Sequence, residues 1–468
     1  MRRAYTSAQV RAAEQPLLAV GVPLMQRAAF GLAVAVAREL PFLYGARIAL
    51  MVGSGNNGAD ALWAGSLLAR RGAHVVAVAS GELVADAREA LLRAGGRFGG
   101  HEALADADVV LDALVGIGAR GPLRPAAAAL VTALGDHPAV VAVDVPSGVD
   151  ADTGAVTGPA VRAARTVTFG ALKPGLLLAR DHVGRLELVD VGLRLSDPPV
   201  EVLDPADVVR LLPSAARASD KYSRGVLGVV AGSQVYAGAA VLCVGAAVRA
   251  GAGMVRFAGA PHAAQQVRSH WPETLVCEAT GADVVSAGRV QAWVVGPGLG
   301  TQDEAAVEAV LSQDLPVLVD ADALSVCARH PHWLRDRTAP TLLTPHDREF
   351  ERFGSPVGDD RVGAARRLAV ELGVHVLLKG DATVVAGPAG PARVNDTGSA
   401  VLATAGSGDV LSGGVGALLA QGLEVRDAGS VGAWLHGTAG SLSAAGASTS
   451  AGLLLEAWPA AVRQAGRL

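Results

Sequence analysis

The sequence is poor in cysteine and in aromatic residues, and neither sign of charge dominates it. Its 468 residues include 3 cysteines, and aromatic residues make up 4% of the chain. Cys243, Cys277 and Cys327 show none of the spacings that bind zinc or form redox pairs, which favours a reducing compartment. The formal net charge of −4 at pH 7 gives no basic surface for a nucleic acid.

Long uninterrupted apolar segments are also missing. The run at 237–248 ends at Arg249, well short of the roughly 20 apolar residues that span a bilayer. The opening residues, MRRAYTSAQVRAAEQ, carry charges but no apolar centre, which is not the pattern of a secretory signal. We therefore expect a cytoplasmic protein that has no membrane or nucleic-acid partner, and we expect it to form a homo-oligomer.

What the sequence does contain is a regular alternation of short apolar runs and helical segments. Helical spacing is present at 14–40 and 59–70, and continuous apolar runs predict strands at 48–52, 73–79, 109–111, 140–143, 226–231, 292–295, 316–319, 341–343 and 374–378. This alternation predicts α/β domains, each a three-layer sandwich with helices on both faces of a mostly parallel sheet. The chain is too long for one core, and its prolines near 198–213 place a boundary between domains at 1–205 and 215–468.

The first strand is followed by a glycine-rich turn at 53–60. The turn matches G-x-G-x-x-G, so a dinucleotide-dependent oxidoreductase is one interpretation. The second strand, however, ends at Ser80, where that motif requires an acid for the ribose. Asn56, Asn57 and Asp60 also make the turn more polar than a dehydrogenase requires, and they suit a cation or a polar head group.

The next two predicted strands also end in polar residues. Asp112 follows one strand, and Asp144 and Ser147 follow the other. Each could be an ordinary turn or cap residue. Because ligands of open α/β sheets bind beyond the carboxyl ends of the strands, we expect these side chains to converge on one pocket. A single carboxylate among neutral oxygens suits a monovalent cation better than a divalent one.

The segments at 55–60, 112–118 and 144–150 resemble the NAD(P)H-hydrate epimerase family over roughly residues 5–200. The resemblance implies a Rossmann-like domain and a potassium ion held by Asn57, Asp112 and Ser147. It places the hydrated nicotinamide nucleotide against Asp144 and against Asn56, Asn57, Gly58, Ala59, Asp60, Gly116, Ile117, Gly118, Ala119, Arg120, Gly121 and Pro122. We expect Asp144 to be the acid/base residue. Ala59 departs from the glycine that is usual in the family.

In the second half, polar or glycine-rich segments again follow the predicted strands. Asp220 and Lys221 precede its first strand, and later strands are followed by 296–300, 320–322, 344–346 and 379–381. Taken singly, these segments are a plain turn, a helix cap, an exposed loop and a hairpin turn. Lys379 closing a strand thirty residues before a glycine-rich helix start nevertheless suits a nucleotide polyphosphate.

The glycine-rich segment at 402–414 is the centre of this half. A helix predicted from Val410 would present free backbone N–H groups to a phosphate, and Gly406 and Gly408 would allow its close approach. Asp409 beside this anion site is either a general base for a hydroxyl group or an ordinary helix cap.

From about 215 onwards the chain resembles the ADP/ATP-dependent NAD(P)H-hydrate dehydratases of the ribokinase-like superfamily. The resemblance implies contact with the hydrate by Ala239, Gly300, His346 and Asp409, and with ADP or ATP by Lys379, Gly380, Asp381, Ala382, Thr383 and Gly408. We expect Mg²⁺ on the phosphates. The sequence departs from the family pattern at 347–348 and at 398–402, and the second departure lies on the substrate side of the anion site.

Together, the two resemblances imply a bifunctional enzyme that epimerises hydrated NADH and NADPH and then dehydrates the S epimer, and we expect Asp409 to be the base. The Ala/Arg/Gly-rich composition is typical of a bacterial protein, and the resemblance then implies ADP over ATP, because bacterial members of that family usually use ADP. A ribokinase-like kinase for a small molecule, with an N-terminal binding module, is the alternative. A regulatory first domain and an oxidoreductase are further alternatives.

Overall fold

The computed structural model describes residues 1–213, 222 and 224–466. The chain forms two compact units, one of Arg3–Val200 and one of Glu201–Leu468 together with Met1–Arg2. Asp220 and Lys221, which the sequence pattern places before the first strand of the second half, lie outside the described residues. The boundary predicted at 205–215 stays a prediction.

Residues 1–200 contain a parallel sheet with strand order β4-β3-β2-β5-β6-β7-β8. Strand β1 (Arg2–Ala4) is not part of this sheet, whose strands are β2 (Arg47–Val52), β3 (His74–Ala79), β4 (Arg97–Phe98), β5 (Val109–Ala113), β6 (Val140–Val143), β7 (Arg165–Phe169) and β8 (Arg185–Val189). The helices are α1 (Ser7–Ala19), α2 (Leu24–Glu39), α3 (Asn56–Arg70), α4 (Ala85–Arg93), α5 (Glu102–Ala105), α6 (Pro125–Leu134), α7 (Pro174–Leu178) and α8 (Arg180–Val183).

Strand β2 shows how this sheet acquires a helical layer on each face. Alternate side chains of a strand point to opposite faces. Leu50 therefore packs with Leu32 of α2 and Leu62 of α3, whereas Met51 packs with Leu130 of α6 on the other face. The continuous apolar run of the sequence is thus explained by burial on both sides.

The second unit contains a longer sheet, in which strands run in the order β9-β18-β17-β16-β15-β14-β13-β10-β11-β12. Pairing is parallel from β12 to β16 and antiparallel for β16–β17 and β17–β18. The strands are β9 (Val200–Val202), β10 (Val226–Val230), β11 (Met254–Gly259), β12 (Leu275–Glu278), β13 (Ala292–Val295), β14 (Val317–Val319), β15 (Thr341–Leu343), β16 (His375–Leu378), β17 (Thr383–Ala386) and β18 (Ala392–Asn395).

The helices of this unit are α9 (Pro205–Leu211), α10 (Ala237–Arg249), α11 (Pro261–His270), α12 (Glu304–Leu311), α13 (Asp322–Arg329), α14 (His332–Arg335), α15 (Asp347–Phe350), α16 (Arg361–Leu372), α17 (Ser407–Ala420), α18 (Val425–Ala444) and α19 (Ala451–Ala465). Short 3₁₀ turns cover Gly281–Ala287, Glu351–Phe353 and Ala400–Leu402. Helices α10 and α17 pack so closely that a Cβ on Gly413 would lie 2.0 Å from the Cys243 carbonyl oxygen. This packing fixes the start of α17 over the carboxyl ends of the strands.

The predicted fold class, two α/β units built on largely parallel sheets, is confirmed. The prediction of one helix over 14–40 is wrong, because α1 ends at Ala19 and α2 begins at Leu24. Gly21 has a φ of 75°, and Pro23 lacks the N–H that would continue the helix. In the part of the chain that the structure describes, no single helix meets the length and hydropathy expected of a membrane span, although the bent pair α1 and α2 does so together.

Candidate active sites

In the first unit, the turn between β2 and α3 contains three glycines. Two of them pack closely against the backbone, and the third faces open space. A Cβ on Gly53 would lie 1.9 Å from the Leu114 carbonyl oxygen, and one on Gly58 would lie 2.2 Å from the Gly53 carbonyl oxygen. Gly55, the N-cap of α3, faces open space. The outer glycines therefore serve packing, while the start of α3 remains accessible to a ligand.

Asp112, Ser147 and Asn57 lie together behind this turn, as the sequence predicts. The Asp112 carboxylate is fully buried and accepts hydrogen bonds from the Ser147 hydroxyl at 2.6 Å and the Ser147 N–H at 2.7 Å. The Asn57 side-chain amide donates to the carbonyl oxygens of Val115 at 2.7 Å and Val143 at 3.0 Å. Burial raises the pKa of Asp112 to about 6, against the opposing effect of its Ser147 and Leu114 hydrogen bonds.

The loop at 116–122 runs beside Asn57 and helix α1. A Cβ on Gly116 would lie 3.1 Å from the Asn57 Cβ, and the Arg11 guanidinium donates to the Ile117 carbonyl oxygen at 3.2 Å. Arg120 points to a different partner, since it pairs with Asp152 at 2.5 Å. The early part of the loop therefore adjoins the turn at 55–60. Further along, Gly118, Gly121 and Pro122 are exposed, and Ala119 is half-buried.

Asp144 lies just beyond β6 with an unusual backbone. Its φ of 66° is in the left-handed region, which is strained for a residue other than glycine. Its Oδ1 accepts hydrogen bonds from the Lys173 ammonium at 2.5 Å and from the Thr168 hydroxyl at 3.0 Å. Lys173 is 1% exposed, and its ammonium also donates to Thr168 Oγ1 at 2.9 Å and to the Phe169 carbonyl oxygen at 3.1 Å.

Two further carboxyl groups lie near Asp144. Burial, followed by the charges of Asp144 and Glu14, raises the pKa of Asp60 well above its ordinary value. The Asp60 Oδ1 is buried and accepts no hydrogen bond from any described residue. Burial and the charge of Asp144 also raise the pKa of Glu14 on α1, although Lys173 and Arg11 oppose that rise.

In the second unit, the helix at the anion site starts earlier than the sequence predicts. Helix α17 begins at Ser407 instead of Val410, because Gly406 adopts a φ of 85° and forms the N-cap. Asp409 therefore lies within the first turn. The buried His436 hydrogen-bonds through Nε2 to the Ser407 carbonyl oxygen at 2.9 Å, and burial lowers the pKa of His436 to about 4. A neutral imidazole thus holds the start of α17 in place.

Asp409 is the carboxyl group at this helix start. Burial and the negative charge of Asp320 raise the pKa of Asp409 to about 7, although Lys379 opposes the rise. A carboxyl group with that pKa can exchange a proton with a substrate near neutral pH.

Lys379 lies at the end of β16 and contacts two other carboxylates. Its ammonium is 2.8 Å from Asp320 Oδ1 and 3.3 Å from Glu349 Oε2. Ser412 of α17 donates to the other Asp320 oxygen at 2.7 Å. A Cβ on Gly408 would lie 3.6 Å from the Lys379 ammonium. Lys379 and the start of α17 therefore border the same space.

The residues predicted to contact the hydrate come from several segments around the space that Lys379 and the start of α17 border. Gly298 is held against Ala239, because a Cβ on Gly298 would lie 2.7 Å from the Ala239 Cβ. The Gly300 N–H donates to Asp322 Oδ2 at 2.8 Å, and the charge of Asp322 acts on Asp409. His346 caps α15, since its ring nitrogen accepts from the Glu349 N–H at 3.2 Å.

The turn from Lys379 to Thr383 joins antiparallel strands, so the hairpin that the sequence allows is present. A hydrogen bond closes the turn, because the Thr383 hydroxyl donates to the Gly380 carbonyl oxygen at 3.0 Å. Asp381 is exposed in this turn, whereas Ala382 is buried. A Cβ on Gly398 would lie 2.2 Å from the Asp381 carbonyl oxygen, so the departing segment at 398–402 packs directly on the turn.

Sequence reasoning missed several of the residues that organise the two sites. Lys173 could have been noticed as the lone charge in the segment at 171–178. Asp320 was recognised only as a strand-end residue. His436 gave no signal, because it lies in an apolar helix that is remote in sequence from Ser407. Among the described residues, no cluster of three or more His, Cys, Asp or Glu side chains is arranged to hold a metal ion.

Comparison with known proteins divides the chain in the same way. Residues 21–175 match the family model of the YjeF-related protein N-terminus, and residues 227–459 match the model of NAD(P)H-hydrate dehydratase. A bifunctional NAD(P)H-hydrate repair enzyme of Mycobacterium tuberculosis is 52% identical over 442 residues, which cover 92% of this chain and 91% of the relative. The corresponding protein of Mycobacterium leprae is 51% identical over 458 residues, which cover 95% of each chain.

A solved structure supports the fold of the second unit. A ribokinase-like superfamily protein from Enterococcus faecalis aligns with a TM-score of 0.51 and 22% identity, and the alignment covers 58% of this chain and 98% of that protein. This likeness concerns the fold alone.

Proposed function

The chain belongs to the family of bifunctional NAD(P)H-hydrate repair enzymes, and on that premise we propose that its two units act in turn on hydrated NADH and NADPH. The first unit interconverts the R and S epimers at C6 of the nicotinamide ring. The second removes water from the S epimer and restores the dihydropyridine. The observation that carries the proposal is Asp409, a carboxyl group with a pKa of about 7 in the first turn of α17.

In the first unit, we assign the substrate to the space bordered by the turn at 56–60, the loop at 116–122 and Asp144. The open face at Gly55 and the free start of α3 support this assignment, since a helix N-terminus suits a nucleotide phosphate. Asp144 is the acid/base group because its backbone holds the carboxylate at the end of β6. Asp112 organises the pocket and does not transfer a proton.

The donor set behind the turn fits a potassium ion. Asp112 supplies one buried carboxylate, and Ser147 and Asn57 supply neutral oxygens. The raised pKa of Asp112 indicates a buried negative charge that a monovalent cation would stabilise. We assign Asn57, Asp112 and Ser147 as the residues that would hold it.

In the second unit, Asp409 takes the proton of the C6 hydroxyl while the N-terminal N–H groups of α17 bind the phosphoryl group being transferred. Hydroxide leaves poorly and a phosphate ester leaves readily, so phosphorylation of the hydroxyl makes the elimination feasible. Ala239, Gly300 and His346 line the hydrate side of the space, and His436 keeps the Ser407 carbonyl oxygen, and hence the helix start, in register.

The nucleotide is assigned to Lys379, Gly408 and the turn that ends at Thr383. Lys379 supplies a positive charge beside the start of α17, and Gly408 lets a phosphate approach closely. A Mg²⁺ ion bound with the nucleotide would neutralise the phosphate charge. The acidic side chains Asp320 and Glu349 next to Lys379 supply oxygen ligands that are compatible with that ion.

We further propose that ADP is the phosphoryl donor, that the protein is cytoplasmic and that it forms a homo-oligomer.

The experiment is to incubate the protein with hydrated NADH and either ADP or ATP, and to follow the absorbance of the dihydronicotinamide. We expect the absorbance to appear only with nucleotide, faster with ADP, and together with free inorganic phosphate. Phosphate that stayed on the organic product would instead indicate a small-molecule kinase. Starting from pure R epimer tests the first unit, since dehydration then requires prior epimerisation.

A further inference from the structure

Three carboxyl groups from separate elements act on one another through their charges beside the proposed epimerisation site, and one of them contacts a fully buried ammonium group. Glu14 comes from α1, Asp60 from α3 and Asp144 from the end of β6. Lys173 donates to Asp144 Oδ1 at 2.5 Å and uses its other N–H groups on Thr168 and the Phe169 carbonyl oxygen. These contacts fix the Lys173 ammonium group against the Asp144 carboxyl group.

Asp60 is in the opposite situation. Its Oδ1 is buried and accepts no hydrogen bond from any described residue. The two charges that act on it, those of Asp144 and Glu14, are both negative. A buried carboxyl group facing like charges favours the protonated form, and a protonated carboxyl group can donate. Two carboxyl groups in contrasting environments are the usual arrangement of an acid and a base in one site.

The proposed reaction needs such a pair. C6 of the hydrate carries the hydroxyl group and is bonded to the ring nitrogen N1, so it is a carbinolamine carbon. Its configuration inverts only if a bond to C6 breaks and re-forms on the other face of the ring. Loss of the hydroxyl group requires a proton donor on one face, and addition of water requires a proton acceptor on the other.

We propose that Asp60 is the catalytic proton donor and Asp144 the catalytic proton acceptor of the epimerisation, with Lys173 as the positioning residue that holds the Asp144 carboxylate. This inference rests on the proposed function of the first unit and adds to it the proton path. It gives Asp60 a chemical role in place of simple substrate contact.

The steps balance as follows. Asp60 gives its proton to the C6 hydroxyl group, the C6–O bond breaks, and water leaves as the N1 lone pair forms a C6=N1 bond. Water then adds to C6 from the opposite face, the electron pair returns to N1, and Asp144 takes the extra proton. The site ends with Asp144 protonated and Asp60 ionised, the state from which the reverse epimerisation starts, and solvent exchange restores the first state.

The test measures conversion of pure R hydrate to the S form by the full chain, after subtraction of the rate without protein. Asp60→Asn keeps the shape but cannot donate a proton, so we expect kcat to fall ~10²–10⁴-fold with KM changed less than about threefold. Asp60→Glu should recover part of the rate. Asp86→Asn, an exposed aspartate in the first turn of α4, is the matched control and should behave as the parent.

Dehydration of the S hydrate by the second unit of each variant serves as an internal reference for concentration, and an epimerisation KM close to the parental value shows that the first unit is folded. The pH profile provides a second readout. The parent should lose epimerisation at high pH as Asp60 ionises, and Asp60→Asn should lose this basic limb. Lys173→Met should lower kcat for epimerisation more than it raises KM, because the Asp144 carboxylate then lacks the ammonium group that holds it in place.

The outcomes are separable. If Asp60→Asn keeps kcat within about tenfold of the parent, or keeps the basic limb, the acid–base pair is overturned. If Lys173→Met keeps kcat for epimerisation at the parental value, the positioning role is overturned. If the parent itself does not interconvert the epimers, the proposed function of the first unit fails before the pair is tested.

Discussion

Both sites place a lysine and several carboxyl groups at the carboxyl ends of parallel strands, yet the two lysines neutralise different members of each group. In the first unit, Lys173 contacts Asp144, the group assigned to the chemistry. In the second, Lys379 contacts Asp320 and Glu349, and the group assigned to the chemistry, Asp409, is left with a pKa of about 7.

This difference follows from what each lysine is placed to do. Lys173 is 1% exposed and has no room for a ligand, so its charge can act only on its neighbours. The Lys379 side chain is 19% exposed beside Gly408, where an incoming phosphate can reach it. Lys379 is thus held by two carboxylates to which we assign no proton transfer. The pKa of the proposed base is then set mainly by burial and not by an ion pair with this lysine.

The largest expected effect concerns Asp409. Asp409→Asn should lower dehydration of the S hydrate by ~10²–10⁴-fold, because the hydroxyl proton then has no acceptor, while ADP binding should change little. Steady-state rates and nucleotide affinity measured on the same preparation check this. Asp283→Asn, an exposed aspartate in the first turn of a 3₁₀ helix, is the control. A variant that dehydrates at close to the parental rate would make Asp409 a helix cap only.

The next effect separates the two aspartates of the first unit. Asp144→Ala should lower the turnover of R-to-S conversion, at the lower end of the ~10²–10⁴-fold range for a positioned acid or base, with binding largely kept. Asp112→Ala should instead weaken substrate binding and remove any dependence on potassium. Conversion rates across a potassium titration distinguish the variants. Full turnover by Asp144→Ala, with loss only in Asp112→Ala, would reverse the two roles.

A smaller effect tests whether each site is complete within its own unit. Fragments 1–200 and 201–468 should each keep their own activity. A fragment starting at 215 should be less stable than one starting at 201, because Leu203 and Val208 are buried in the core of the second unit. Burial of two such side chains contributes up to about 3–6 kcal/mol. Denaturant unfolding of both fragments measures the difference, and equal midpoints would support the boundary at 215.

The motifs of both sites could be predicted from the sequence because the signals are local. A glycine-rich turn after an apolar strand identifies 53–60, and a glycine-rich helix start identifies 404–409. The strands that the sequence marked as continuous apolar runs, such as β2 and β13, are present. The match between pattern and structure is good there because these strands are buried on both faces.

The residues that the sequence did not identify act across long separations. Strand β7 reads as a mixture of polar and apolar residues, yet Thr166 and Thr168 are fully buried because their hydroxyl groups donate to the Val183 carbonyl oxygen and to Asp144. Lys173 meets Asp144 only because β6 and β7 are neighbours in the sheet. Strand order has no local signature, so these partners become visible only in the folded chain.

The smallest expected effect is a difference in pH dependence between the two activities. Asp409 must be ionised to accept a proton, and its pKa is raised to about 7, so kcat/KM for dehydration should fall about tenfold for each pH unit below 7. The parameter kcat/KM is the one to follow, because it reports the free enzyme before nucleotide binding changes the local charge. Epimerisation should change less over the same range from pH 7 to 6, because the Lys173 ammonium group contacts Asp144 directly. Both profiles can be measured on the intact chain with pure S and pure R hydrate. A dehydration limb well below pH 6 would mean that Lys379 neutralises Asp409 as effectively as Lys173 neutralises Asp144, and the contrast between the two sites would disappear.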